Sequence, residues 1–254
     1  MSKQNVTNIN KYTPPSETEY PSFATTCVET PVSIDVLVDI LRFPRFAGTE
    51  GEQYIIDKYL MTLPDATMDD FGNIIVDVLD AEGCNARVMF SAHTDTVHKK
   101  TAGFAPYKLR SRSGWLSVKG GGVLGADCGA GIWIMLNLIK AGVPGLYVFH
   151  REEEIGGGGS SYIAQWNAAL VEGIDYCIAF DRKDTGHIIT HQAGGRCRSE
   201  ELAESFAHAL NFESGFGFGA NDGGSFTDSA NYTHLIPECT NLSVGYYDQH
   251  SQQE

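Results

Sequence analysis

Ser91-Ala-His-Thr-Asp-Thr-Val97 is the stretch whose reading decides the fold. It follows Arg87-Val-Met-Phe90, an apolar run of buried-strand character. His93 and Asp95 therefore stand where a strand ends, two residues apart and on one side of it. In an open α/β sheet that edge is where ligands bind. An imidazole beside a carboxylate suits metal binding, because the carboxylate accepts the second ring N–H and fixes the tautomer. An isolated His-x-Asp is commonly a structural pair, so its meaning rests on the rest of the chain.

At 254 residues the chain has room for one large α/β domain or two small ones. A net charge of −14 speaks against a nucleic-acid partner and against an anionic membrane surface. Six scattered cysteines form no C-x-x-C pair, which excludes a zinc ribbon and a thioredoxin motif. No apolar leader opens the sequence and no run has the length of a membrane span, so free thiols in the cytoplasm are the expectation.

Residues 1–30 are rich in Asn, Thr, Ser and Pro without a period, and read as a partly ordered arm. Ile34, Leu37, Val38 and Leu41 fall on one helix face, with Ser33 as cap and Pro44 as stop. Thr49-Glu-Gly-Glu52 has the capping-box pattern, and opens a second helix through Leu63. A turn at Asp70-Phe-Gly-Asn73 leads to a strand over 74–79, and Glu82-Gly-Cys-Asn85 turns the chain into the His93 strand. Residues 107–118 read as a hairpin. A glycine-rich loop, Gly120 to Gly129, precedes a helix marked by Ile132, Met135, Leu136 and Ile139. Strands are expected over 146–149, 176–180, 188–190 and 241–245, and helices over 160–170 and around Leu202, Phe206 and Leu210. This alternation predicts one α/β domain over 31–254 with a mostly parallel sheet.

Five places share one property. His93 with Asp95, Asp127, Glu153 with Glu154, Asp181, and His250 all follow a predicted strand or lie in the loop beyond it. Two histidines and several carboxylates at one sheet edge suit zinc or a similar divalent ion. The absence of G-x-S-x-G disfavours a serine hydrolase. The absence of G-K-[ST] after the glycine loop disfavours a P-loop. The acidic run Glu152-Glu-Glu154 sits between an apolar strand and four glycines, a poor place for a solvated face.

Taken in order, these motifs resemble the di-zinc exopeptidase superfamily, metallopeptidase clan MH, which includes simple aminopeptidases, peptidase T-like tripeptidases and glutamate carboxypeptidases. The resemblance covers about residues 33 to 254. It is carried by Leu41-Arg-Phe-Pro-Arg-Phe-Ala-Gly48 with Glu52, Asp70-Phe-Gly-Asn73, His93-Thr-Asp-Thr-Val97, Gly125-Ala-Asp-Cys-Gly-Ala-Gly131, Glu152-Glu-Glu-Ile-Gly156, Phe180-Asp-Arg182 and His250. It implies a three-layer α/β/α sandwich with a mixed, mostly parallel central sheet, the phosphorylase/hydrolase-like zinc peptidase fold. By the resemblance His93 and Asp181 are ligands of one metal and Asp95 orients His93. Asp127 bridges two metals, Glu153 is the general base, and Glu154 and His250 hold the second metal. The register within the glutamates follows from the acidic pair that precedes an aliphatic-Gly step, here Ile155-Gly156.

The implied cofactors are two divalent ions, zinc first and Co2+ or Mn2+ as alternatives, about 3.5–4 Å apart. The implied reaction is hydrolysis of short peptides from a free N-terminus. A carboxypeptidase or an N-acyl amino acid deacylase on the same fold is the alternative, with Arg182, Arg196 and Arg198 as candidate carboxylate binders. A metal-stabilised scaffold is the non-enzymatic alternative, although a decayed site would have lost its base and Glu153 is present. The resemblance also implies a cis peptide after Asp127. Short peptides or N-acyl amino acids are the expected partners, with a homo-oligomer left open. Three departures stand out. Cys128 replaces a polar residue common after the bridging Asp. The interval from Asp181 to His250 is too short for a lid domain, and the sequence ends four residues after His250. Gly223 to Asp228 is read as pocket lining or as a plain helix entry, and His98, His187, His191, His208 and His234 match no ligand.

Overall fold

The computed structural model describes residues 30–80 and 87–254. The arm expected over 1–30, save its last residue, and the turn at Glu82-Gly-Cys-Asn85 lie outside the described residues. In chain order the elements are α1 (Ile34–Leu41), α2 (Glu50–Ile55) running into a π-helical turn (Ile56–Leu60), β1 (Thr67–Met68), β2 (Ile74–Val78) and β3 (Val88–His93). A hairpin of β4 (Leu109–Arg112) and β5 (Trp115–Val118) follows, then α3 (Ala126–Lys140), β6 (Gly145–His150), α4 (Gly158–Trp166), β7 (Tyr176–Arg182) and β8 (His187–Ile189). The chain continues through the short pair β9 (His191–Gln192) and β10 (Gly195–Arg196), α5 (Glu200–Ser214), β11 (Gly219–Asn221), a 3-10 turn (Asp228–Tyr232) and β12 (Glu238–Ser243).

Eight strands form one sheet in the order β1-β2-β6-β3-β7-β12-β8-β11. The pairs β6–β3, β3–β7, β7–β12 and β8–β11 are parallel, while β1–β2, β2–β6 and β12–β8 are antiparallel. The central strands β3 and β6 are apolar on both faces because both faces are covered. Phe90 and Ala92 of β3, with Tyr147 and Phe149 of β6, pack against Ile40 of α1, Ile55 of α2, Ile132 and Met135 of α3, and Ala203 of α5. Met89, Leu146 and Val148 point the other way and meet Ile163 and Ala164 of α4 and Tyr232. Two cores on opposite faces of one sheet make the three-layer α/β/α sandwich. The stretch from Asp181 to His250 adds β8, β11 and β12 to the same sheet.

Local chemistry explains where elements begin and where expectations shift. Ser33 caps α1, its hydroxyl accepting from Asp35 N. Asp69 pins the turn before β2 by accepting the N–H groups of Phe71, Gly72 and Asn73. The capping box at Thr49 does not form. The Thr49 hydroxyl donates to Phe46 O at 2.6 Å, and the Glu52 carboxylate accepts from Gly48 N at 2.7 Å. Glu52 is fully buried and held by Arg151, so its side chain serves the interior rather than the helix end. The helix expected over 160–170 breaks at Asn167, and the last strand starts earlier, at Glu238. Gly131 is required by contact: a Cβ there would meet Phe180 O, so only glycine lets α3 lie this close to β7.

Candidate metal centre

The C-terminal ends of β3, β6 and β7 lie side by side, and the loops beyond them supply the candidate residues. His93 closes β3 and is buried. Its Nδ1 faces the Asp95 carbonyl at 3.1 Å and Asp95 Oδ1 at 3.5 Å. Its Nε2 is turned toward Asp127 Oδ1 at 3.0 Å and Asp181 Oδ1 at 3.4 Å. The Asp95 carboxylate does more than orient the ring. It accepts the backbone N–H groups of Glu153 and Glu154 at 3.1 and 3.2 Å, and so fixes the acidic loop against the His93 strand.

Asp127 enters through the glycine loop. Gly125 takes φ +73°, Asp127 and Cys128 depart from helical angles, and the Asp127–Cys128 peptide is cis, as the resemblance implied. The two Asp127 oxygens face different histidines. Oδ1 faces His93, and Oδ2 lies 3.0 Å from His250 Nε2. His250 Nε2 is also 3.0 Å from Glu154 Oε1, yet that buried oxygen takes no hydrogen bond. Imidazole and carboxylate are close without being aligned on each other.

The electrostatics of this cluster are unbalanced. Burial, then the charge of Asp127, pushes the Asp181 carboxyl up to about 7. Burial, then the neighbouring carboxylates, pushes Glu153 up to about 10. Asp127 and Glu154 push His250 up to about 10 as well. Many carboxylates share the space, which favours the protonated forms of Asp181, Glu153 and His250.

Supporting side chains complete the site. Thr227 donates to Asp181 Oδ2 at 2.6 Å, and the Tyr246 hydroxyl lies 3.3 Å from Asp181 Oδ1. Gly224, Ser225 and Phe226 line the cleft over the cluster, a space of about 90 Å³. Thr227 makes no capping bond with its side chain. Cys128 is buried and donates to Phe180 O at 3.1 Å; burial keeps it a neutral thiol. His191 Nδ1 lies 3.0 Å from the Thr190 hydroxyl.

Sequence patterning assigns no place in the site to four further residues. His150 closes β6 as His93 closes β3, and it is fully buried between Tyr232, Ser91 and Asp228. Its position at the end of an apolar strand was the available signal. Arg45, fully buried, donates to the carbonyls of Ile40, Thr94 and Gly125, tying α1 to the two loops that carry His93 and Asp127. Glu52 accepts from Thr94 and Arg151. Glu254 accepts the N–H groups of Leu124, Ala126 and Asp127 at 3.2, 2.8 and 3.4 Å, so its carboxylate sits on the turn that presents Asp127. No local pattern announces these long-range contacts.

His98 sits behind this frame, with Nδ1 on the Thr96 hydroxyl and Nε2 donating to Val123 O. Burial, then the Arg45 charge, pushes its pKa down to about 4. The unfolded chain binds that proton more readily than the folded one. Its contribution to stability is therefore full above about pH 6.5 and is lost as pH falls toward 4. Urea midpoints measured across this window should fall more steeply in the wild type than in His98→Gln.

No protein-family model matches the sequence, and no curated protein sequence matches it. Solved structures do match. The aminopeptidase PepT from Bacillus cereus is 13% identical, with 86% of this chain and 91% of that one covered at a TM-score of 0.67. A tripeptidase from Staphylococcus aureus is 15% identical over 86% and 91%, also at 0.67. The TET1 peptidase of Pyrococcus horikoshii, which assembles into a tetrahedron or a large octahedral shell, is 16% identical over 86% and 92%, at 0.64. The chain thus shares the fold of these peptidases.

Proposed function

We propose that the protein is a two-metal exopeptidase that removes residues from the free N-terminus of short peptides. The observation that carries this reading is the division of Asp127 between two triads. One oxygen faces His93 with Asp181, the other faces His250 with Glu154. Donors about 2.0–2.1 Å from a tetrahedral zinc ion stand roughly 3.3 Å apart. The four spacings here run from 3.0 to 3.4 Å. The buried Glu154 oxygen without a hydrogen bond also fits a cation better than a proton.

His93, Asp127 and Asp181 would hold one ion, and His250, Asp127 and Glu154 the other. Ions bound there supply Lewis acidity, which lowers the pKa of water and polarises the scissile carbonyl. Glu153 takes the proton of the attacking water on its carboxylate and delivers it to the leaving nitrogen. Asp95 keeps Glu153 in place through its backbone N–H and keeps the His93 proton on Nδ1. His93 and His250 must shed a proton to ligate, so ion affinity falls as pH falls. The Glu254 carboxylate steadies Asp127 from behind; Glu254→Ala should weaken zinc affinity about 10–100-fold, read by competition with a chromophoric chelator.

The test is a mixture of short peptides in free, N-acetylated and C-amidated forms, incubated with zinc-loaded protein and followed by mass spectrometry. Trimming of free N-termini alone supports the aminopeptidase. Loss from the C-terminus, or release of acetate, moves the protein to the carboxypeptidase or deacylase alternative. No cleavage by metal-loaded protein sinks the reading.

A further inference from the structure

The cleft that opens on the acidic cluster has a cationic end. Arg182 and Lys183 leave β7 directly after Asp181 and line the same space as Glu153, Glu154 and His250. A Cβ on Gly223 would lie 4.0 Å from Arg182 Nη2, so the guanidinium sits against the 223–226 loop that forms the cleft wall. Arg182 Nε is buried without a hydrogen-bond partner. Among the described residues no hydrogen bond or ion pair reaches its side chain. The nearest carboxylate in sequence is already engaged: Asp181 Oδ2 accepts from Thr227 and Oδ1 faces His93 and Tyr246. An arginine left unpaired beside so many carboxylates is unusual, because a partly buried guanidinium without an anion forfeits its strongest hydrogen bonds. Arg196 and Arg198, the other candidates, do not line the cleft; Arg198 stacks on Phe206.

We propose that Arg182, assisted by Lys183, binds a carboxylate of the substrate, so that the cleft selects peptides carrying an anion beyond the scissile bond. This rests on the peptidase reading for the identity of the ligand. Two sources share the chemistry: the C-terminal carboxylate of a di- or tripeptide, and an acidic side chain. The guanidinium is planar and matches either as a bidentate donor.

The test separates binding from turnover. Zinc-loaded Glu153→Gln protein is titrated calorimetrically with Ala-Ala-Ala, with its C-terminal amide, and with Ala-Glu-Ala amide. Removing one charge-assisted hydrogen bond corresponds to roughly 10–100-fold in affinity. The expected result is that the amide binds at least tenfold more weakly than the acid, and that Arg182→Gln in the same background abolishes the difference. Lys183→Gln should reduce it in the same direction. If Ala-Glu-Ala amide regains the lost affinity and Arg182→Gln removes the gain, the anion read is a side chain; if it does not, the anion read is the C-terminus. Equal affinity for all three peptides, a difference that survives Arg182→Gln, or no binding at all overturns the proposal. Wild-type turnover of the same peptides is scored separately: binding with the predicted discrimination but no hydrolysis would end the peptidase reading and leave the carboxylate site standing.

Discussion

Glu153→Gln lowers kcat by about a thousandfold, within the 10²–10⁴ range of general acid–base catalysis, and leaves zinc content and KM nearly unchanged. The substitution keeps size and hydrogen-bonding length but removes the ability to take a proton. Glu153 is assigned no metal, so its amide leaves both triads intact. Its backbone is anchored by Asp95, so the variant side chain starts from the same place. Two divalent ions bound beside it would favour the ionised carboxylate, the form that can take a proton. Steady-state kinetics beside metal analysis give the result. A loss of less than tenfold, or loss of metal together with activity, would remove Glu153 from the role of base.

Glu52→Ala destabilises the fold by about 2–4 kcal/mol, somewhat below the cost of stranding one partner of a fully buried ion pair because Arg151 keeps part of its hydration. Four donors converge on this carboxylate: Gly48 N, the Thr94 hydroxyl, and Nε and Nη2 of Arg151. Removing it leaves a partly buried guanidinium without its carboxylate and strips the Gly48 N–H of its acceptor, while the Thr94 hydroxyl keeps only His150 O. For a chain of this size the loss corresponds to a drop of roughly 10 °C in Tm. The effect should reach the metal centre too, since Thr94 adjoins His93 and Arg151 opens the loop that carries Glu153 and Glu154. Thermal unfolding in chelator measures the structural part alone, and a shift under about 3 °C would show that Arg151 finds another partner at little cost.

The sheet order, the helices and the ligand set differ in how far the sequence exposes them. Strands β3 and β6 are legible because two-sided burial demands unbroken apolar runs. Asp127 and His250 are legible only as motifs in order, since nothing in their spacing tells that 123 residues apart they face one another at 3.0 Å. Glu52 misleads a local reading: Thr49 and Glu52 have the capping spacing, but Arg151 from a distant strand end outcompetes the helix terminus for the carboxylate. Asp95 is half legible. Its place beside His93 follows from the two-residue repeat, whereas its grip on Glu153 and Glu154 depends on β3 and β6 being parallel neighbours. Arg45, His150 and Glu254 act through contacts between remote segments, which periodicity and capping rules do not encode.

The most direct test is a calorimetric titration of metal-free protein with zinc, run in parallel on Asp127→Ala. The account predicts two zinc ions per chain for the wild type, with affinity at both positions collapsing together when the shared carboxylate is removed. Binding of a single ion, or an Asp127→Ala variant that still takes up two with unchanged affinity, would contradict a centre in which one aspartate serves both triads.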